Sequence, residues 1–130
     1  MKRNVRAVLY GNDAECRAVG AMLSVLDSLK DHSHECFCVG DMEEFETALV
    51  DLEPTLVIVL ADGAAGMECV YLSRMRRPNL PVFWFSDDHE FVMQSYRLDC
   101  AYFSTKPATP EKMHNAVSRC AHIGISIATA

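Results

Sequence analysis

The feature that most limits what this chain can fold into is the stretch Pro54-Thr55-Leu56-Val57-Ile58-Val59-Leu60-Ala61-Asp62. Six of its nine residues are Leu, Val, Ile or Ala, in an unbroken run that ends in one acid. No polar position alternates with the apolar ones. A strand that is apolar on both faces is normally covered on both faces, as in the centre of a parallel sheet. In doubly wound sheets, chemistry collects just past the carboxyl ends of such strands. The residues to watch are therefore Leu60, Ala61, Asp62 and whatever surrounds them.

The rest of the chain supplies the neighbours that such a strand needs. Val5 to Tyr10 is a short apolar segment that predicts a first strand. Asn12, with Glu15 three residues on, has the capping-box spacing and starts a first helix. Val19, Met22, Leu23, Leu26 and Leu29 give that helix one buried stripe at three- and four-residue intervals. Glu35 to Val39 predicts a second strand. Asp41 and Glu44 repeat the capping signal before a second helix lined by Met42, Phe45, Leu49 and Leu52. After Asp62, Gly63-Ala64-Ala65-Gly66 reads as a small-residue loop, with a third helix from about Met67 to Arg76, stopped by Pro78. Pro81 to Phe85 predicts a fourth strand, followed by Ser86-Asp87-Asp88 and a fourth helix over about His89 to Leu98. Ala101 to Ser104 predicts a fifth strand, leading into Thr105-Lys106-Pro107. Thr109 caps a fifth helix and Pro110 takes its first position, where a missing N–H costs nothing. Met113, Ala116, Val117 and Cys120 form its inner face.

Five strands alternating with five helices imply an α/β three-layer sandwich, a parallel sheet covered on both sides. Right-handed crossovers leave few topologies, and the flavodoxin-like order 2-1-3-4-5 is the expected one. Residues 1–122 make up this domain. The tail 123–130, small and uncharged, is either a chain end or the start of a linker.

The 130 residues suit one domain with a substantial core. With 12 basic and 18 acidic side chains the formal charge is −6, which argues against this domain gripping nucleic acid through its phosphates. No apolar run reaches the roughly 20 residues of a membrane span, and the basic N-terminus leads into too few apolar residues for a signal peptide. The expected location is the cytoplasm. The six cysteines are accordingly read as reduced thiols, not as a disulfide framework.

Two constellations compete with a site at the strand ends. His32, His34, Cys36 and Cys38 fall at alternate positions, and two imidazoles with two thiolates make a sensible zinc set. An extended strand, however, spreads these four side chains over about 20 Å. The better reading places Cys36 and Cys38 against the core as small hydrophobes and His32 and His34 in a loop. Cys16, Cys69, Cys100 and Cys120 read as packing thiols, since none stands beside a His in a catalytic pattern. The loop 63–66 lacks the Lys-Ser/Thr ending of a P-loop, and the first turn lacks a dinucleotide fingerprint.

In the predicted topology the ends of strands 1, 3, 4 and 5 open on one edge. They present Gly11-Asn12-Asp13, Leu60-Ala61-Asp62, Ser86 and Lys106-Pro107. This arrangement resembles the active site of a response regulator receiver domain (CheY-like) over about residues 4–122. The stretches Pro81-Val82-Phe83-Trp84-Phe85-Ser86 and Tyr102-Phe103-Ser104-Thr105-Lys106-Pro107 carry most of the resemblance. The run Phe91-Val92-Met93-Gln94-Ser95-Tyr96-Arg97-Leu98 is similar to receivers that precede LytTR-type DNA-binding domains.

The resemblance implies a two-component signalling module. In such receivers an acidic pair after strand 1 holds Mg²⁺, an aspartate after strand 3 takes a phosphoryl group from a histidine kinase, and a strand-4 hydroxyl and strand-5 lysine contact the phosphoryl oxygens. Phosphoryl transfer needs a divalent cation and a fixed positive charge to offset the transferring oxygens. This sequence departs from the pattern. Matching on Arg17 puts Gly11 and Asn12 at the acidic pair and leaves Asp13 as the carboxylate there. Matching on Pro54 puts Leu60 at the acceptor position, whereas matching on Gly66-Met67-Glu68 puts Ala61 there. Asp62 falls one or two residues beyond.

The expectation is a pseudo-receiver with a vestigial site made of Asn12, Asp13, Leu60, Ala61, Asp62, Ser86 and Lys106. It would have no cofactor and no enzymatic activity, and Lys106 would pair with Asp13 or Asp62. It would act in transcription regulation through a protein partner or a second copy, on the face of helix 4, strand 5 and helix 5. Tyr96, Arg97, Tyr102, Phe103 and Lys112 lie on or near that face. The alternative is a phosphorylatable receiver that uses a displaced Asp62, with Asp13 and Asp62 on Mg²⁺. The Lys106-Pro107 peptide is expected to be cis.

Overall fold

A computed structural model describes residues 3–129. The strands are β1 (Asn4–Tyr10), β2 (Ser33–Val39), β3 (Leu56–Val59), β4 (Val82–Ser86) and β5 (Tyr102–Thr105). The helices are α1 (Asp13–Val25), α2 (Met42–Asp51), α3 (Gly63–Arg76), α4 (Val92–Arg97) and α5 (Pro110–His122). All strands of the sheet are parallel, in the order β2-β1-β3-β4-β5. This is the flavodoxin-like α/β arrangement expected from the alternation of elements.

β3 sits in the middle and is buried at every position. Its odd and even residues divide between two cores. Leu56, Ile58 and Leu60 join Val5, Ala7, Leu9, Phe83 and Phe85 on the side covered by α1 and α5. Val57 and Val59 join Val8, Val82 and Trp84 on the side covered by α2 and α3. Each large aliphatic buried this way contributes roughly 1.5–3 kcal/mol. The unbroken apolar run is thus the record of two covers, not of one.

The helix starts follow the expected capping. Asn12 Oδ1 accepts from the Glu15 N–H at 2.8 Å, Asp41 Oδ1 from Glu44 N–H at 2.8 Å, and Thr109 Oγ1 from Lys112 N–H at 3.1 Å. Two helices differ from expectation. Gly63-Ala64-Ala65-Gly66 is not a loop but the first turn of α3. Gly66 is needed there because a Cβ would collide with the Ala61 carbonyl and the Trp84 indole. Tertiary contact, not propensity, decides this turn. The fourth helix is shorter than predicted: a single 3-10 turn over His89–Phe91 precedes six α-helical residues.

The Arg74 guanidinium on α3 donates to the carbonyls of Pro78, Leu80, Leu98 and Asp99. It ties the end of α3 to the turn between α4 and β5. The tail returns beneath the sheet. Ile127 and Ala128 are buried against the α1/α5 core, and Thr129 forms an antiparallel bridge with Asn4.

The cysteines require a correction. Cys36 and Cys38 lie on the α1-facing side of β2 but are not packed in the core as small hydrophobes; both are exposed. Nor are all six thiols reduced, because Cys16 is joined to Cys38 by a disulfide, with Cα atoms 5.9 Å apart. The cause is topological. β2 is the sheet edge, bonded to β1 alone, so its α1-facing side is roofed by one helix. Gly20 of α1 has no side chain to cover Cys36, and the start of α1 lays Cys16 against the end of β2. Cys36, Cys69, Cys100 and Cys120 remain free.

Candidate functional site

The carboxyl ends of β1, β3, β4 and β5 form one shallow edge, and its polar groups converge from three directions. β3 stops at Val59, and Leu60 continues extended, its N–H donating to the Tyr10 carbonyl at 2.8 Å. Leu60 is only 3% exposed. A Cβ placed on Gly11 would lie 3.0 Å from Leu60 Cβ, so the end of β1 closes directly over this side chain. Ala61 turns to the other face, and its carbonyl accepts from Trp84 Nε1 at 2.8 Å.

Asp62 is the residue before α3, in extended conformation, and its side chain does not cap the helix. It reaches across to β4 instead. Asp62 Oδ1 accepts from Ser86 Oγ at 3.2 Å and from the Asp87 N–H at 2.7 Å. Ser86 Oγ accepts in turn from the Asp88 N–H at 3.0 Å. The Ser86 side chain thus sits fully buried with its donor and its acceptor capacity both used.

Lys106 enters from the end of β5, ahead of a cis peptide to Pro107. Its ammonium lies 3.2 Å from Glu15 Oε2 and 3.9 Å from Asp62 Oδ1. The first distance is a hydrogen-bonded ion pair; the second is an ion pair beyond hydrogen-bond reach. Glu15 is the site residue that sequence reasoning missed. Its capping-box spacing identified it as a helix-start residue. The structure shows its carboxylate serving Asn12 through Oε1 at 2.7 Å and Lys106 through Oε2. A glutamate in the first turn of the helix beside a strand-5 lysine was the available signal.

The other predicted residues lie apart from this cluster. Asp13 points toward β2, with Oδ1 4.0 Å from Cys38 Sγ, so Lys106 pairs with Asp62 but not with Asp13. The Asn12 amide is occupied by Glu15. Among the described residues no three His, Cys, Asp or Glu side chains converge to hold a metal ion. His32, His34, Cys36 and Cys38 are strung along β2 and its approach.

On the face of α4, β5 and α5, Tyr96 is 80% exposed. Tyr102 and Phe103, being adjacent on a strand, point to opposite faces. Tyr102 packs edge-on against Phe83, and Phe103 packs edge-on against Trp84 with ring centroids 5.2 Å apart. Lys112 is spent on the Thr105 and Pro107 carbonyls.

No protein-family model matches the sequence, and no curated protein matches it. Solved structures do. A response regulator receiver domain from Clostridium thermocellum superposes with a TM-score of 0.74 at 11% identity, over 92% of this chain and 96% of that one. A response regulator receiver protein from Pseudoalteromonas atlantica gives 0.70 at 18% identity, over 92% and 98%. A protein described as a CpaE2 pilus assembly protein from Sinorhizobium meliloti gives 0.71 at 19% identity, over 89% and 99%. The order of strands, the helices on each side and these superpositions agree: the chain has the fold of CheY-like receiver domains.

Proposed function

We propose that this chain is the signalling module of a two-component-type response regulator and works as a pseudo-receiver, by protein contact and without phosphorylation of the usual kind. The observation that carries this reading is Leu60. We read the buried leucine under Gly11, at the strand-3 exit between strands 1 and 4, as taking the place where a receiver presents its acceptor carboxylate. The donor set around it supports the same reading. A hard octahedral cation such as Mg²⁺ wants more than one carboxylate at the strand-1 end. Gly11 has no side chain, the Asn12 amide is engaged, and Asp13 faces β2. Those residues do not fit the ion. Lys106, which would otherwise neutralise phosphoryl oxygens, is held by Glu15.

The proposed setting is the cytoplasm. The proposed output is transcription control through a LytTR-type DNA-binding domain, which the run Phe91 to Leu98 supports. The partner or second copy would meet the face of α4, β5 and α5, where Tyr96 stands exposed.

One observation favours the second reading, a phosphorylatable receiver served by a histidine kinase. Asp62 Oδ1 already lies within hydrogen-bond reach of Ser86 and beside Lys106. Intact-mass measurement after incubation with acetyl phosphate and Mg²⁺ separates the two. The pseudo-receiver keeps its mass. A phosphoryl adduct that disappears in Asp62→Asn would overturn the preferred reading and install the second.

A further inference from the structure

Two of the six cysteines meet beside the strand-end cluster, and the two differ in access. Cys16, in the first turns of α1, is 4% exposed, whereas Cys38, near the end of β2, is open to solvent. We infer that Cys16 and Cys38 form a reversible redox-modification site, closed by a low-molecular-weight disulfide of the glutathione class and opened by a thiol reductant. Their Cα separation of 5.9 Å lies in the range that a disulfide spans without backbone movement.

The difference in access orders the steps. The Cys38 thiolate attacks one sulfur of glutathione disulfide; that S–S bond breaks, a Cys38–glutathione mixed disulfide forms, and one glutathione thiolate leaves and takes up a proton. The Cys16 thiolate then attacks the Cys38 sulfur. The mixed disulfide breaks, the Cys16–Cys38 bond forms, and a second glutathione leaves. Two protein thiols have lost two electrons to one small disulfide, and two glutathione thiols are the product. Reduction runs the same exchange backwards.

The surroundings suit both states. Cys16 Sγ lies 3.7 Å from the Leu9 carbonyl oxygen, and Cys38 Sγ lies 3.8 Å from that of Gly11. On reduction each new S–H finds an acceptor in place, so opening the bridge strands no buried donor.

The site also has a route to the cluster next to it. The bridge fastens the first turns of α1 to the edge strand. That same stretch carries Asn12 and Glu15, and Glu15 holds Lys106 at 3.2 Å. Opening the bridge releases from β2 the helix start that positions the Lys106 partner. This inference is independent of whether Asp62 is phosphorylated.

The test is a thiol count on the whole chain, equilibrated in buffers of rising glutathione disulfide, then acid-quenched and labelled with maleimide. Labelling is done in denaturant, because burial pushes the Cys69 and Cys100 thiols up to about 12 and that of Cys120 up to about 11. The expected result is the loss of two labels of six, restored by dithiothreitol, with a peptide map linking Cys16 to Cys38. Cys16→Ser is expected to trap the glutathione adduct on Cys38, and Cys38→Ser to lose the bridge without an adduct on Cys16. Retention of all six labels in the most oxidising buffer overturns the proposal. So does a bridge involving Cys36, or one that dithiothreitol cannot open in the native protein. Amide hydrogen exchange reads the coupling: faster exchange over residues 12–16 after reduction, with β3 and β4 unchanged, is expected. Equal exchange in both states removes the link to Lys106.

Discussion

The two sides of the strand-end edge are built on opposite principles. On the β1–β3 side, Gly11 closes over a buried Leu60, and the strand-3 exit presents an apolar side chain. On the β4–β5 side, Ser86, Asp62, Lys106 and the backbone of the following turn form a linked polar set. The first side is an extension of the hydrophobic core to the rim of the sheet. The second is a set of groups tuned to carry charge. Their juxtaposition shows that one sheet edge can be apolar on one side and polar on the other, because the fold needs only the strands.

The comparison is broken most directly by putting charge on the apolar side. Leu60→Asp leaves a carboxylate unpaired among apolar side chains and is expected to cost about 4 kcal/mol in urea unfolding. A cost under about 1 kcal/mol, the scale of surface changes, would mean that this side tolerates charge and that the contrast is false. A smaller effect comes from the polar side. Ser86→Ala removes the hydrogen bond to Asp62 and the acceptor of the Asp88 N–H but leaves the Asp87 N–H on Asp62, so about 2 kcal/mol is expected by the same measurement.

The smallest effect belongs to Lys106. Its partners Glu15 and Asp62 have side chains 32% and 48% exposed, so Lys106→Met is expected to change stability by no more than about 1 kcal/mol. Any change should shrink further in high salt. A larger loss, insensitive to salt, would show Lys106 acting as a packing residue and erase the distinction between the two sides.

Much of this was legible in the sequence. The apolar run from Leu56 to Leu60 and the alternation of strands with helices gave the sheet, and Asn12, Asp41 and Thr109 marked helix starts correctly, because caps are local chemistry. The unread parts were all tertiary. Gly63-Ala64-Ala65-Gly66 looks like a loop until the Trp84 indole is seen to need the space above Gly66. The pairing of Cys16 with Cys38 depends on β2 being the edge strand and on one helix lying beside it. Position 62 could be counted along the chain, but its contacts could not, since they depend on where strand 4 ends and how its turn is folded. Glu15 was visible as a capping residue, but its second partner lies 91 residues further along the chain, as the numbering of Glu15 and Lys106 shows.

Trp84 has one more consequence. It is the chain's single tryptophan, and it is fully buried. Its ring nitrogen is bonded to Ala61, and its faces and edges meet Phe91 and Phe103. One intrinsic fluorophore therefore stands at the meeting point of the strand-3 exit, the first turn of α3, the approach to α4 and β5. Its emission is expected to be that of an indole shielded from water. Any event that shifts Phe103 or breaks the bond to Ala61 is written into that spectrum, with no label attached to the protein.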